Sequence, residues 1–484
     1  MSDDLCFLSA VETAQRVARR ELSPVELVDA LLARIEAVQP KLNAFTVVCA
    51  ESAREHAKRA EAAVMRGEAL GPLHGVGFTV KDMIDVAGVP ITWGSYMFES
   101  RIPTEDALAV ARLKQAGAIL LGVTTMPECG PKATTDSPLW GVTRNPWHLE
   151  RTPGGSSGGA AAALASGCGA LALGTDRAGS VRIPAACCGV VGLKPSPGVI
   201  PDRTTPDLFD TTNVTGPLAR SPEDAALAMG VLGGPDPRDP RSYGAHHRDY
   251  LNEAAAQGAM AGIRLAWMPK VGNAEVDREV RSCCETALSQ FAELGAEVQE
   301  AEVDLMSSVD MLFTLVGVTL HALYADKLAV YGERIDRSLR EAIVQGGKWS
   351  GADVAAALVA RSELFRTVQT LFERYDLLVS PTLTTPAIPV DHYYWDPMVV
   401  NGRTLGSARY DWFPYCHPFN HTGHPAISVP CGMSAEGLPI GLQLVTPWHA
   451  EASLLRAATE LQRVRPWQQH RPGLRFAQST ASNA

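Results

Sequence analysis

Between Thr152 and Pro184 the chain carries two serine-bearing glycine turns, Gly154-Gly155-Ser156-Ser157-Gly158-Gly159 and Asp176-Arg177-Ala178-Gly179-Ser180. Glycine permits φ > 0 and close backbone approach, so such turns can aim amide N–H groups and hydroxyls at one point. Hydroxyls and N–H donors that converge suit an electrophilic substrate: one oxygen attacks while the donors hold the charge that develops. Upstream, Gly75-Val76-Gly77-Phe78-Thr79-Val80-Lys81-Asp82 reads as a short buried strand closed by a lysine. A strand-end lysine is commonly a surface charge. Its apolar neighbours keep a buried lysine, and hence a base, open for Lys81.

Three chemistries compete for the two turns. A phosphate-binding loop fails in detail, because no Gly-Lys-Ser/Thr follows and no G-x-G-x-x-G opens a helix after a strand. A nucleophile elbow is satisfied on paper, with Ser157 at the centre of Gly155-Ser156-Ser157-Gly158-Gly159. That motif needs a strand directly before it, and residues 145–153 read as a loop with two prolines. The third reading joins Lys81, Ser156 and Ser180. A serine hydroxyl is a weak nucleophile that needs an adjacent base, and a lysine can serve if burial disfavours its ammonium form. Asp176 and Arg182, six apart around the second turn, read as a structural pair that holds it.

The elements that must position these residues alternate between helix and apolar strand. Ser23-Pro24-Val25-Glu26 has capping-box spacing with Pro at the first helical position, and apolar residues then recur at three- and four-residue steps to Val38. Strands are expected at 75–82, 117–123, 189–193, 263–267, 296–298, 377–380, 426–430 and 440–445, and helices at 106–115, 276–294, 307–330, 351–375 and 451–464. The small-residue segment between the two glycine turns suits a thin helix packed beneath both. This alternation predicts an α/β fold with a covered sheet. Residues 393–424 are dense in aromatics and histidines, and read as core with some contribution to a binding site.

Composition bounds the partners. The 484 residues are 46% hydrophobic and 20% charged, with a formal net charge of −10, which argues against a nucleic-acid or anionic-membrane partner. The acidic N-terminus lacks the basic and apolar regions of a signal peptide. The most apolar window, 158–174, is slightly short of a membrane span and reads as a buried helix. Ten scattered cysteines with no C-x-x-C suggest reduced thiols and a cytoplasmic protein. No metal-ligand cluster such as H-E-x-x-H appears, and neither a metal nor another cofactor is expected.

The sequence resembles the amidase signature family of serine hydrolases. The resemblance rests on Gly154 to Gly159, on Gly174-Thr175-Asp176-Arg177-Ala178-Gly179-Ser180-Val181-Arg182-Ile183-Pro184, on the interval of 24 residues from Ser156 to Ser180, and on Val80-Lys81-Asp82. Further matches are Met126-Pro127-Glu128, Asn145-Pro146-Trp147, Gly216-Pro217-Leu218-Ala219-Arg220-Ser221 and Gly423-His424-Pro425-Ala426, so it spans roughly residues 10–465. The family's usual Gly-Gly-Ser is Ala178-Gly179-Ser180 here, which keeps the N–H donor and restricts φ. The resemblance implies Ser180 as nucleophile, Ser156 on a cis peptide as proton bridge, Lys81 as base, and the N–H groups of Arg177, Ala178, Gly179 and Ser180 as oxyanion hole, with Ser157, Asp176 and Arg182 in support.

It implies a single α/β/α domain with a mixed, mostly parallel central sheet covered on both faces. Within it lie N-terminal helical wrapping (about 1–70), a catalytic core (about 71–230), a variable specificity region (about 236–424) and C-terminal core strands and helix (425–470). The expected activity is hydrolysis of a small carboxamide, neutral and apolar or aryl. The family is often dimeric, so a homodimer is among the assemblies the resemblance allows. Two alternatives share the triad. One is the glutamine-hydrolysing component of an aminoacyl-tRNA amidotransferase, its A subunit, which carries a Ser-Leu-Asp-Gln-Ile-Gly-Pro segment where this chain has Asn213-Val214-Thr215-Gly216-Pro217. The other is a carbamate or ester hydrolase.

Overall fold

The computed structural model describes residues 4–474 apart from 257 and 259. Its centre is an 11-stranded sheet. From one edge the strands run Phe45–Val48, Ile119–Thr124, Gly77–Lys81, Leu171–Asp176, Val214–Ala219, Val191–Lys194, Ala426–Met433, Pro439–Val445, Leu377–Pro381, Arg264–Trp267 and Glu297–Glu300. The sheet is mixed, as expected, but it is not mostly parallel. Pairing is parallel where Gly77–Lys81 lies between Ile119–Thr124 and Leu171–Asp176, and again from Leu377–Pro381 to the far edge. The middle of the sheet and its first edge pair antiparallel. Val214–Ala219 accounts for part of this difference. Gly216 and Pro217 hide that strand from a pattern reading, since proline cannot donate to a ladder, yet it pairs on both sides, with Pro217 opposite Leu173.

Side chains alternate across a strand, so a sheet covered on both faces sends neighbours into two cores. Leu171 and Leu173 enter one core with the helices Leu108–Gln115, Pro222–Leu232, Arg278–Glu293 and Glu451–Val464. Ala172 enters the other, with Pro24–Leu42, Ala50–Arg66, Gly158–Ala165 and Arg182–Cys188. The α/β/α layering follows. Ser23 caps its helix as the sequence implies, accepting from the N–H groups of Val25 and Glu26, and Ser221 caps Pro222–Leu232 by accepting from the N–H of Asp224.

The segment between the glycine turns is not one helix. Gly158–Ala165 is helical, and Leu171–Asp176 is a strand that delivers the second turn from the sheet. Its small side chains let the helix lie fully buried against the sheet. The expected β-α-β unit is present, with Arg264–Trp267 and Glu297–Glu300 parallel around Arg278–Glu293. The strand Phe45–Val48 and the helix Arg337–Gly346 have no counterpart among the expected elements. One helical stretch, Ser307–Arg334, is long and apolar enough to cross a membrane by length and composition, and its first helix packs against Arg337–Gly346 and Gly351–Arg374.

Candidate active site

Gly77–Lys81 and Leu171–Asp176 are parallel neighbours with Val80 opposite Leu173, so Lys81 and Thr175 emerge together at the C-terminal ends of their strands. Ligands in open α/β sheets gather outside such strand ends. Lys81 is fully buried, with Nζ 2.7 Å from Ser156 Oγ and 2.9 Å from Thr175 Oγ1. Burial pulls its pKa down to about 7, against a smaller opposing pull from Asp176. Just beyond it, Asp82 accepts from the N–H groups of Thr92 (2.7 Å) and Gly94 (3.0 Å), which pins the turn leaving the strand.

The peptide bond before Ser156 is cis. Ser156 and Thr175 line a cavity of about 590 Å³, and Ser180 lines it from the second turn. Ser157 turns away. Its N–H donates to Ser180 O at 3.1 Å and its hydroxyl lies 3.4 Å from Thr175 O, buried beneath the site. No strand precedes it within residues 145–153, so the strand that a nucleophile elbow requires is missing.

The second turn is built around the carboxylate of Asp176. It accepts from the N–H groups of Gly179 (2.7 Å) and Val181 (3.1 Å) and pairs with Arg182 at 2.9 Å, both side chains fully buried. Arg182 and hydrogen-bond donors hold the Asp176 carboxyl well below the usual range in spite of burial, which alone would raise it. Arg182 also donates to Gln443 Oε1 and Asn420 Oδ1, each at 2.6 Å, and Asn420 donates back to Asp176 and to Thr212 O. Asp176 and Arg182 are thus the structural pair expected. Gly179 needs its glycine, because at φ 118° an added Cβ would sit 2.6 Å from Cys416 Cβ. Ala178 is not among the positive-φ residues, so alanine there imposes no backbone strain.

The four expected oxyanion donors do not stand alike. The N–H of Gly179 is taken by Asp176, whereas among the described residues those of Arg177, Ala178 and Ser180 donate to no protein acceptor. Arg177 turns its side chain to Asp210 at 2.7 Å, across the mouth of the large cavity.

On its other side Ser180 borders a narrow pocket of about 60 Å³ walled by Leu312, Phe313, Val316, Tyr394, Trp395 and Phe413. The aromatic-rich segment therefore contributes to the site in part: Tyr394, Trp395 and Phe413 reach it, while Trp412 and Tyr415 are core. None of His417, His421 and His424 lines either cavity. His417 meets Ser308 Oγ at 2.8 Å, His424 stacks between Phe365 and Phe372, and burial lowers the pKa of all three.

Sequence reasoning gives no role to Thr175, Asn420 or the face of Ser307–Tyr324. Thr175 is discoverable from its place at the strand end beside Lys81. Asn420 carries no local signal, since its partners lie more than two hundred residues away. Among the described residues, no group of three or more His, Cys, Asp or Glu is arranged to hold a metal ion.

The family model for Amidase matches residues 26–455. An acylamidase of Rhodococcus erythropolis is 40% identical over 471 residues, covering 97% of this chain and 98% of that one. The A subunit of a glutamyl-tRNA(Gln) amidotransferase from Roseiflexus castenholzii is 36% identical, covering 97% of this chain and 98% of its own. Among solved structures, a bacterial aryl acylamidase of the amidase signature enzymes superposes with a TM-score of 0.87 at 32% identity, covering 96% of this chain and 97% of that chain. A 6-aminohexanoate cyclic dimer hydrolase superposes with a TM-score of 0.86 at 31% identity, covering 97% and 99%. With its buried lysine, serine turns and mixed sheet, the chain belongs to the amidase signature family and is an amide-hydrolysing enzyme.

Proposed function

We propose that the enzyme hydrolyses neutral amides with an apolar or aryl group, anilides among them, through an acyl-enzyme on Ser180. The observation that carries this reading is Lys81, fully buried and 2.7 Å from Ser156 Oγ, behind a cavity that Ser156 and Ser180 both line. A lysine with a pKa of about 7 is largely neutral at slightly alkaline pH and can accept a proton. Ser180 Oγ attacks the carbonyl carbon, its proton passes to Ser156, and the proton of Ser156 passes to Lys81. The C–N bond breaks as a proton returns through Ser156 to the leaving nitrogen. Water then repeats the sequence on the ester, and the acid leaves.

The N–H groups of Arg177, Ala178 and Ser180 hold the tetrahedral oxyanion, where loss of one donor typically costs roughly 10²–10³ in rate. Gly179 shapes the turn. Ten cysteines, none of them in a disulfide among the described residues, fit a reducing, cytoplasmic setting. The unbroken sheet from Phe45 to Val445 supports reading the chain as one catalytic domain.

The apolar walls beside Ser180, together with the acylamidase and aryl acylamidase likenesses, favour an acyl anilide over glutamine. A panel decides: an aryl anilide, a primary amide, glutamine, an aryl carbamate and a nitrophenyl ester, each with wild type and Ser180→Ala. Anilide turnover that Ser180→Ala abolishes supports the proposal. Turnover of glutamine alone moves the enzyme to the amidotransferase reading, and turnover of carbamate or ester without amide moves it to the third.

A further inference from the structure

The two cavities that meet at Ser180 are unequal, and the proton path tells them apart. Ser156 lines only the large one, so the leaving nitrogen it serves must face that side. The acyl group is left with the narrow pocket. Three cationic side chains line that pocket. Lys132 is paired with Asp136 and Asp336, and Arg177 with Asp210. Arg409 has no such partner among the described residues.

Its guanidinium carbon lies 3.6 Å from the ring centre of Phe313 and 3.8 Å from that of Trp395. Both rings pack directly against the guanidinium. Among the described residues its N–H donors reach no acceptor, and no carboxylate lies within ion-pair distance. Glu341, whose charge is felt at Arg409, is held instead by Arg337 and the Tyr393 hydroxyl. Stacking on aromatic faces satisfies the guanidinium plane and leaves its five donors open to the pocket that Arg409 lines, where a ligand's acceptor can reach them.

We propose that Arg409 is an anion-recognising end to the acyl pocket, so that the enzyme takes acyl groups ending in a carboxylate, the half-amides of short dicarboxylic acids. Such a carboxylate meets the guanidinium edge in the bidentate geometry that arginine favours. The chain between it and the scissile carbonyl crosses the apolar stretch made by Leu312, Val316 and Phe413. The proposal rests on the Ser180 acyl-enzyme reading and revises its acyl side, from a neutral group to one ending in a carboxylate; the amine side remains neutral or aryl.

The test compares 4-nitroanilides of succinic and glutaric acid with those of their uncharged branched isosteres, 4-methylpentanoic and 5-methylhexanoic acid. Wild type is expected to prefer at least one carboxylated member in kcat/KM by roughly ten- to a hundredfold, the size of a hydrogen-bonded charge contact. Arg409→Met should erase that preference, and Arg409→Lys should restore part of it. A measurement on wild type alone adds an independent arm: free succinate or glutarate should inhibit hydrolysis of the uncharged anilide better than the branched acids do. Uncharged anilides hydrolysed faster than carboxylated ones, with no inhibition by the diacids, overturns the role of Arg409. Neither class hydrolysed points to failure of the proposed anilide-hydrolysing reading instead.

Discussion

Two regions face each other across Ser180, and they are held by different forces. The shelf, the serine-bearing turns 154–159 and 176–182 with Lys81, is buried and held by polar contacts. The Asp176 carboxylate alone meets N–H groups of Gly179 and Val181, the Asn420 amide and the Arg182 guanidinium. The wall, from Ser307–Tyr324 and residues 394–413, is mostly apolar and meets the pocket through Leu312, Phe313, Val316 and Phe413. A buried hydrogen-bond network has one satisfied geometry, and leaving any member unpaired is expensive. An apolar surface can be repacked with volume-conserving changes for less than about 1.5 kcal/mol. The difference assigns the reaction to the shelf and the choice of substrate to the wall.

The largest effects should therefore come from the shelf. Ser180→Ala is expected to lower kcat by about 10⁴-fold or more with the fold intact, as nucleophile removal does in other serine hydrolases. Lys81→Met should come within about tenfold of that loss. Both are measured by anilide turnover beside circular dichroism. Asp176→Ala leaves Arg182 buried without its carboxylate, a change that costs about 3–5 kcal/mol. Its melting temperature should fall sharply, and activity should fall with it.

The pH profile probes the same region without mutation. Lys81 acts as base only when neutral, so kcat/KM should rise through about pH 7 and level off above it. An exposed lysine would place that limb near pH 10. The sign for stability follows. Because the folded pKa lies below the unfolded one, burial of the charged form penalises the fold fully below about pH 7, and the penalty is relieved as pH rises towards about 10.4.

Smaller effects should mark the edges of the comparison. Ser157→Ala removes one long contact to Thr175 O and should keep activity within about tenfold, costing about 1 kcal/mol of stability. A volume-conserving wall substitution such as Leu312→Met should change stability least and alter the ranking of acyl groups instead. A wall variant that lost all turnover while still folded would erase the distinction between the two regions.

Much of the shelf is legible in the sequence because its chemistry lies in short, glycine-marked turns at fixed spacing. Lys81 closes an apolar strand, Ser156 and Ser180 sit 24 apart, and Asp176 with Arg182 brackets one turn. The wall is not legible. Leu312, Val316 and Leu320 recur at helical spacing, but a helix apolar on several faces does not reveal which one meets a cavity, and Tyr394 and Phe413 join them only through the fold. The same limit hides Asn420 and the strand direction at the sheet centre. Helix caps act locally and can be read; antiparallel pairing between Val191–Lys194 and Ala426–Met433 joins distant segments that carry no mark of their order.

The central claim is that Ser180 carries the acyl group. The most direct test is to mix enzyme with a nitrophenyl ester at a pH below 7, where deacylation lags, quench with acid, and map the modified peptide by mass spectrometry. The acyl mass should fall on Ser180, persist in Ser157→Ala and vanish in Ser180→Ala. An acyl mass on Ser157, or on Ser156, would contradict the account.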